Sequence, residues 1–151
     1  MKWINSILGG VAAVLLVVGA EAAGTYTPGS RISADELGQL IDLPTYNVGK
    51  QSYRLLPQKG VDGASLLVDS RGLVVSSANE ILVTGASEAE IRSGTTTGPA
   101  PASIQYSPAT GIALVRYADF PTAVAAMAPL QQSLPEASVR LAISRGKARA
   151  Y

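Results

Sequence analysis

Leu66-Leu67-Val68 and Leu73-Val74-Val75 are short, wholly apolar runs held apart by Asp69-Ser70-Arg71-Gly72. The residues between them are turn formers. An Asp side chain bonds its own downstream backbone, and Gly adopts conformations closed to other residues. Two strands about a tight turn follow, with the small polar stretch Ser76-Ser77-Ala78-Asn79-Glu80 directly behind the second. Comparable runs recur at Ser52–Leu56, Ala64–Val68, Leu73–Ser77, Ile81–Thr84, Ala102–Tyr106, Ile112–Tyr117 and Val139–Ile143. Gly, Pro and Ser punctuate them, a texture that predicts an all-β barrel or sandwich. No internal repeat is found.

Upstream, Ser33-Ala34-Asp35-Glu36 has the spacing of a capping box, and Leu37, Leu40 and Ile41 recur at helical spacing until Pro44. A short amphipathic helix over 33–42 is expected, packed on its own domain or on a partner, the former being the commoner case. Gly24–Ser30 is turn-rich and reads as linker. Ser93–Pro101 reads as a loop too polar to pack, with Glu88 and Glu90 on an exposed loop edge. The Ala-rich stretch within Pro121–Pro135 fits either a helical turn or an extended connection.

Lys2 precedes an uncharged apolar run, Ile7 to Ala20, and Ala20-Glu21-Ala22 fits a small-x-small cleavage site. That is the layout of a secretory signal peptide. The run is shorter than the roughly 20 residues a helix needs to cross a bilayer. The rival reading is a retained anchor with Lys2 and Trp3 at the interface. The expected organisation is therefore 1–22 signal peptide or membrane anchor, 23–50 linker with a short helix, 51–146 barrel, and 147–151 basic tail.

The chain has no cysteine, so disulfides, a thiol nucleophile and Cys-based metal sites are excluded. Its formal net charge is +1, and the one basic bias, Arg140, Arg145, Lys147 and Arg149, reads as a solvated tail. A single Phe leaves no aromatic stacking platform, so no nucleic-acid partner is expected. No cofactor or metal is expected, because the sequence offers neither His nor an Asp/Asn-rich loop.

The stretch Gly63-Ala-Ser-Leu-Leu-Val-Asp-Ser-Arg-Gly-Leu-Val-Val-Ser-Ser-Ala-Asn79-Glu-Ile81 resembles the first barrel of trypsin-like serine proteases of the HtrA (Deg) type. In that family a histidine after the second strand is the catalytic base; Asn79 stands in its place. Ser107-Pro-Ala-Thr-Gly111-Ile-Ala-Leu-Val-Arg-Tyr117 is similar to the family strand bearing the orienting aspartate, with Gly111 at the aspartate position. Val139–Ser144 is a weaker likeness to the strand closing that barrel. Together the blocks cover roughly residues 50–146. The resemblance implies a mostly β chain with a single six-stranded Greek-key barrel, like the N-terminal half of such a protease. A hydrophobic N-terminal helix and the short amphipathic helix would precede it.

The resemblance does not imply the activity. A serine triad needs an imidazole to take the hydroxyl proton and a carboxylate to hold it. Asparagine and glycine supply neither, and the chain contains no histidine. The family's nucleophile and oxyanion hole belong to a second barrel that this sequence does not carry. Ser144-Arg-Gly-Lys147 matches an S-x-x-K spacing without the partner motifs that give it meaning. Glu80 is a lone carboxylate at a strand exit.

Asn79 then has two readings. It caps the turn behind the strand through backbone bonds, or Ser76, Ser77, Asn79 and Glu80 form the rim of a binding surface. The function expected is a non-catalytic, exported β-barrel acting as an interaction or structural subunit of a bacterial envelope, periplasmic or secreted, with a protein partner or self-association. One alternative is an accessory subunit anchored to the inner membrane through residues 1–22. Another is a fragment of a trypsin-like endopeptidase completed by another chain.

Overall fold

The turn Asp69–Gly72 forms as its residues dictate. Asp69 Oδ1 accepts from the Arg71 and Leu73 N–H groups at 2.8 and 2.9 Å. The computed structural model describes residues 26–146; the segment expected as signal or anchor and the basic tail lie outside the described residues. In chain order the elements are α1 (Ala34–Gln39), β1 (Thr45–Val48), β2 (Gln51–Lys59), β3 (Ser65–Asp69), β4 (Val74–Ser77) and β5 (Glu80–Thr84). They continue with α2 (Glu88–Gly94), β6 (Ser103–Ser107), β7 (Ile112–Arg116), α3 (Phe120–Ser133) and β8 (Ser138–Leu141).

The strands make two four-stranded antiparallel sheets, ordered β1-β2-β3-β4 and β6-β7-β5-β8. The fold is thus mostly β, and each of the seven runs anticipated as a strand forms one. The eighth, β1, falls in the stretch expected as linker. Its Thr-Tyr-Asn-Val alternates in exposure as an edge strand does, and four residues give too short a pattern to stand out.

Side-chain alternation decides the layering. Leu67 and Val75 face a core shared with Ile81, Val83, Ala113, Val115, Val139 and Leu141 of the other sheet. Leu66, Val68 and Val74 face the opposite way, into a smaller cluster with Ile32 and Leu56, covered by Leu37 of α1 and by Leu40 and Leu43 just after it. Leu66 to Val68 is an unbroken apolar run because both faces of β3 are covered. The short helix therefore packs on its own domain. Ser33 Oγ caps it from the Glu36 N–H at 3.3 Å, while the returning contact joins the Ser33 hydroxyl to Glu36 Oε2 at 3.4 Å.

The outer edge of β4 is shared by two segments. The Gly29 N–H donates to the Val74 carbonyl and the Val74 N–H to the Ser30 carbonyl, at 2.8 and 2.9 Å. Two residues on, Ser76 and Ser144 exchange a pair of backbone bonds, each 2.8 Å. Ser144 follows β8, so this bridge joins the two sheets along one side. Residues 29–48, expected as linker, thus belong to the domain: they pair with β4, cover it and supply β1.

Two further expectations are corrected. Glu88 and Glu90 open α2, where Ser87 and Glu90 form a full capping box. The Ser93–Pro101 segment is not a loose loop. After α2 a 3-10 turn covers Thr95–Thr97, and its three hydroxyls bond back to the Arg92, Ser93 and Gly94 carbonyls. Polar residues pack here because each satisfies itself locally. The Ala-rich stretch is α3, with Phe120, Ala123, Ala126 and Leu130 buried along one face. Asp119 accepts from the Thr122 N–H as N-cap, and Phe120 meets Tyr46 edge to face at 5.5 Å.

Candidate functional site

A cleft of about 700 Å³ opens where the β2–β3 connection, the end of β4, the start of β5, the end of β7 and the segment after β8 converge. Val61, Asp62, Ser76, Asn79, Glu80, Arg116, Tyr117 and Ser144 are among its lining. The sequence rim is therefore brought together at Ser76, Asn79 and Glu80. Ser77 is not part of it. It is 2% exposed, its Oγ donating to the Ala142 carbonyl and accepting from the Asn79 N–H, both at 3.1 Å.

Asn79 sits at φ +61, in the left-handed region that asparagine tolerates better than most residues. Only 6% of it is exposed. Its Oδ1 accepts from the buried Ser65 hydroxyl at 2.8 Å, and its carbonyl accepts from the Tyr117 N–H at 2.9 Å. The residue thus ties β3, β5 and the end of β7 to one junction. The Asn79 side chain reaches across the sheet to Ser65 rather than to nearby backbone, and within the turn it is Ser77 Oγ that accepts from the Asn79 N–H.

Glu80 faces Arg116 across the β5–β7 ladder, and the two form an ion pair through Arg116 Nε and Nη2, with the Nε contact at 2.9 Å. The charge of Glu80 is met inside the fold. Tyr117 is 2% exposed, its ring part of the inter-sheet core, and its hydroxyl is buried with no partner among the described residues. Burial raises its pKa above the ordinary phenol range. Sequence reasoning missed Val61, Arg116 and Tyr117. The cross-strand register that sets Arg116 opposite Glu80 is a tertiary fact with no local signature.

Gly111 lies elsewhere. The register pairs Glu80 with Arg116 and Thr84 with Ile112, so Asn79 and Gly111 flank opposite ends of the ladder. At about 3.3 Å per residue they are roughly 15–20 Å apart. A triad's base and its orienting carboxylate lie within hydrogen-bond reach; these two positions do not. Gly111, at φ +66, closes the β6–β7 turn, its N–H bonded to the Ser107 carbonyl at 2.8 Å.

A second hollow of about 750 Å³ lies between α2, the end of α3 and Pro135–Ala137. Its lining is mainly Gly, Ala, Ser and Thr, and its Glu90 is occupied in the capping box. Among the described residues no group of three His, Cys, Asp or Glu could hold a metal ion, and no helix is long and apolar enough to cross a membrane. Comparison with protein-family models, curated proteins and solved structures finds no match. The likeness to trypsin-like proteases rests on the residues of its blocks alone.

Proposed function

We propose that this chain is a non-catalytic module of the cell envelope that engages a protein partner through the cleft beside Asn79. The observation that carries the reading is how the polar groups of the cleft are employed. Asn79 is held by Ser65 and Glu80 by Arg116. Groups committed to the fold are poor reagents but good fixed contact points. Val61, 85% exposed at the lip of the same cleft, adds an apolar contact. The exposed large apolar residues Ile41, Val61 and Ile112 lie on separate segments, so the proposal centres on this cleft rather than on a broad apolar face.

The single Greek-key barrel belongs to the same proposal. The isolated Ser76–Ser144 bridge, which brings β4 beside the residues after β8, supports reading β2, β3, β4, β8, β5 and β7 as its six strands. In this reading β1 and β6 are edge additions. The protease-fragment alternative fares worse, since another chain would have to supply base, carboxylate and nucleophile together.

The test is a photo-activated cross-linker placed at Val61, with a control at exposed Lys50 in the β1–β2 turn. The proposal expects a discrete adduct from Val61 alone, lost when Ser76 and Glu80 are replaced by Lys. Equal labelling from both positions, or peptide turnover by the purified chain, overturns it.

A further inference from the structure

Every polar group of Asn79 but one is bonded within the domain. Its N–H donates to Ser77 Oγ at 3.1 Å, its carbonyl accepts from the Tyr117 N–H at 2.9 Å, and its Oδ1 accepts from the Ser65 hydroxyl at 2.8 Å. The group left over is the side-chain Nδ2, whose two N–H donors have no partner among the described residues. The Tyr117 hydroxyl is the one side-chain polar atom fully enclosed without a partner among those residues, so Nδ2 is reached from outside. Asn79 is 94% buried and lines the cleft, so that is where the donors open. A buried donor without a protein partner is completed by water or by a ligand.

Asn47 shows what burial adds. Its Oδ1 likewise accepts from a serine hydroxyl, that of Ser52, at 2.7 Å, but the residue is exposed on β1. An amide in open solvent gains little when a ligand replaces its water. In surroundings that are mostly protein the same bond is electrostatically stronger. Three bonds already hold Asn79 in one geometry, so a ligand has little of it left to order.

We propose that Asn79 Nδ2 is the donor through which the cleft reads its partner, and that it takes a main-chain carbonyl of the partner polypeptide. The charges around it set that choice. Among the described residues that line the cleft, Asp62 and Glu80 are acidic and Arg116 alone is basic, and Arg116 is already paired with Glu80. A carboxylate would meet the unpaired acidic charge of Asp62, and a neutral carbonyl does not. A polypeptide offers one such acceptor at every residue. The inference rests on the cleft reading and names the contact inside it.

The test is nitrogen-15 NMR of the full chain, titrated with a neutral blocked peptide, N-acetyl-trialanine N-methylamide, and separately with acetate. The peptide should shift the paired Nδ2 proton signals of Asn79 to a saturating limit and leave those of Asn47 in place. Asn79→Asp keeps an acceptor for the Ser65 hydroxyl and a residue that tolerates the left-handed backbone, while replacing the donors by an acceptor. It should weaken peptide binding, followed at the Tyr117 backbone signal, by at least about fivefold. No response at Asn79, equal shifts at Asn79 and Asn47, or a response to acetate without one to the peptide overturns the proposal, and none of these needs a variant to fold. Undiminished peptide binding by a folded Asn79→Asp chain also overturns it. The Val61 adduct is read without the peptide: its persistence in Asn79→Asp sinks this inference alone, and its absence from the unsubstituted chain sinks the cleft reading.

Discussion

The Ser65 hydroxyl donates to Asn79 Oδ1 at 2.8 Å with both residues buried. This bond spans the β3 strand and the β4–β5 junction, and Asn79 holds it from a left-handed backbone. Asn79→Ala removes the acceptor and places an ordinary residue at positive φ, which should cost about 2–3 kcal/mol in urea unfolding. Asn79→Gly relieves the backbone while losing the bond, and should cost about 1 kcal/mol less than Ala. A Ser65→Ala, Asn79→Ala cycle should return a coupling of about 1 kcal/mol; additivity would mean that the bond contributes nothing.

Tyr117 makes the converse case. Its buried hydroxyl has no partner among the described residues, and leaving such a group unsatisfied costs about 1–3 kcal/mol. Tyr117→Phe should therefore raise the urea midpoint, by roughly 1 kcal/mol in stability, with an unchanged m-value. A destabilised Phe variant would show that the hydroxyl is satisfied in solution.

Asp119 caps α3, and its bonds from the Thr122 hydroxyl and N–H hold its pKa below the usual carboxylate value. A depressed pKa contributes stability that is present above the unfolded value of about 3.9 and is lost as pH falls through the folded value. Asp119→Asn keeps an N-cap but cannot titrate, so the gap between wild type and variant should narrow as pH drops below about 4. At neutral pH Asp119→Ala should cost about 1 kcal/mol. Thermal melts across an acid series would read both.

At Gly72, φ is +84 and a Cβ would lie 2.7 Å from the Ile32 carbonyl oxygen. Gly72→Ala should destabilise by about 1–3 kcal/mol through backbone strain. It should also raise amide exchange at Ile32, whose N–H donates to the Gly72 carbonyl at 2.7 Å, ahead of exchange in β3.

The strands were legible where runs such as Leu66–Val68 and Val74–Val75 were long enough to declare themselves. The Asp69 turn was legible because its chemistry is local. What escaped was of two kinds. Thr45–Val48 and Phe120–Ser133 carry weak contrast: four alternating residues in one, alanines in the other, where Ala123 and Ala126 bury as fully as a Phe without looking apolar enough to mark a face. The Thr95–Thr97 turn hid because a string of hydroxyls reads as solvent-loving until each is seen to bond three residues back. At the site, Ser76, Asn79 and Glu80 were found from their place behind a strand. Ser77 was assigned to the wrong face, Arg116 depended on register, and only the β5–β7 ladder shows that Asn79 and Gly111 lie at its opposite ends.

The segments that share the outer edge of β4 run on into a contact between Gly146 and Pro28, which makes the domain almost a closed ring in the covalent sense. A short linker from 146 to 28 would complete the circle, and new ends could be cut at the exposed Val61–Gly63 connection without breaking a strand. Such a permutant should fold to the same two sheets, observable as an unchanged far-ultraviolet circular dichroism spectrum and a cooperative melt. The order in which the strands are synthesised would then be separable from the order in which they pair. The same geometry makes the domain a natural guest, able to sit inside a loop of a host protein without forcing that loop open.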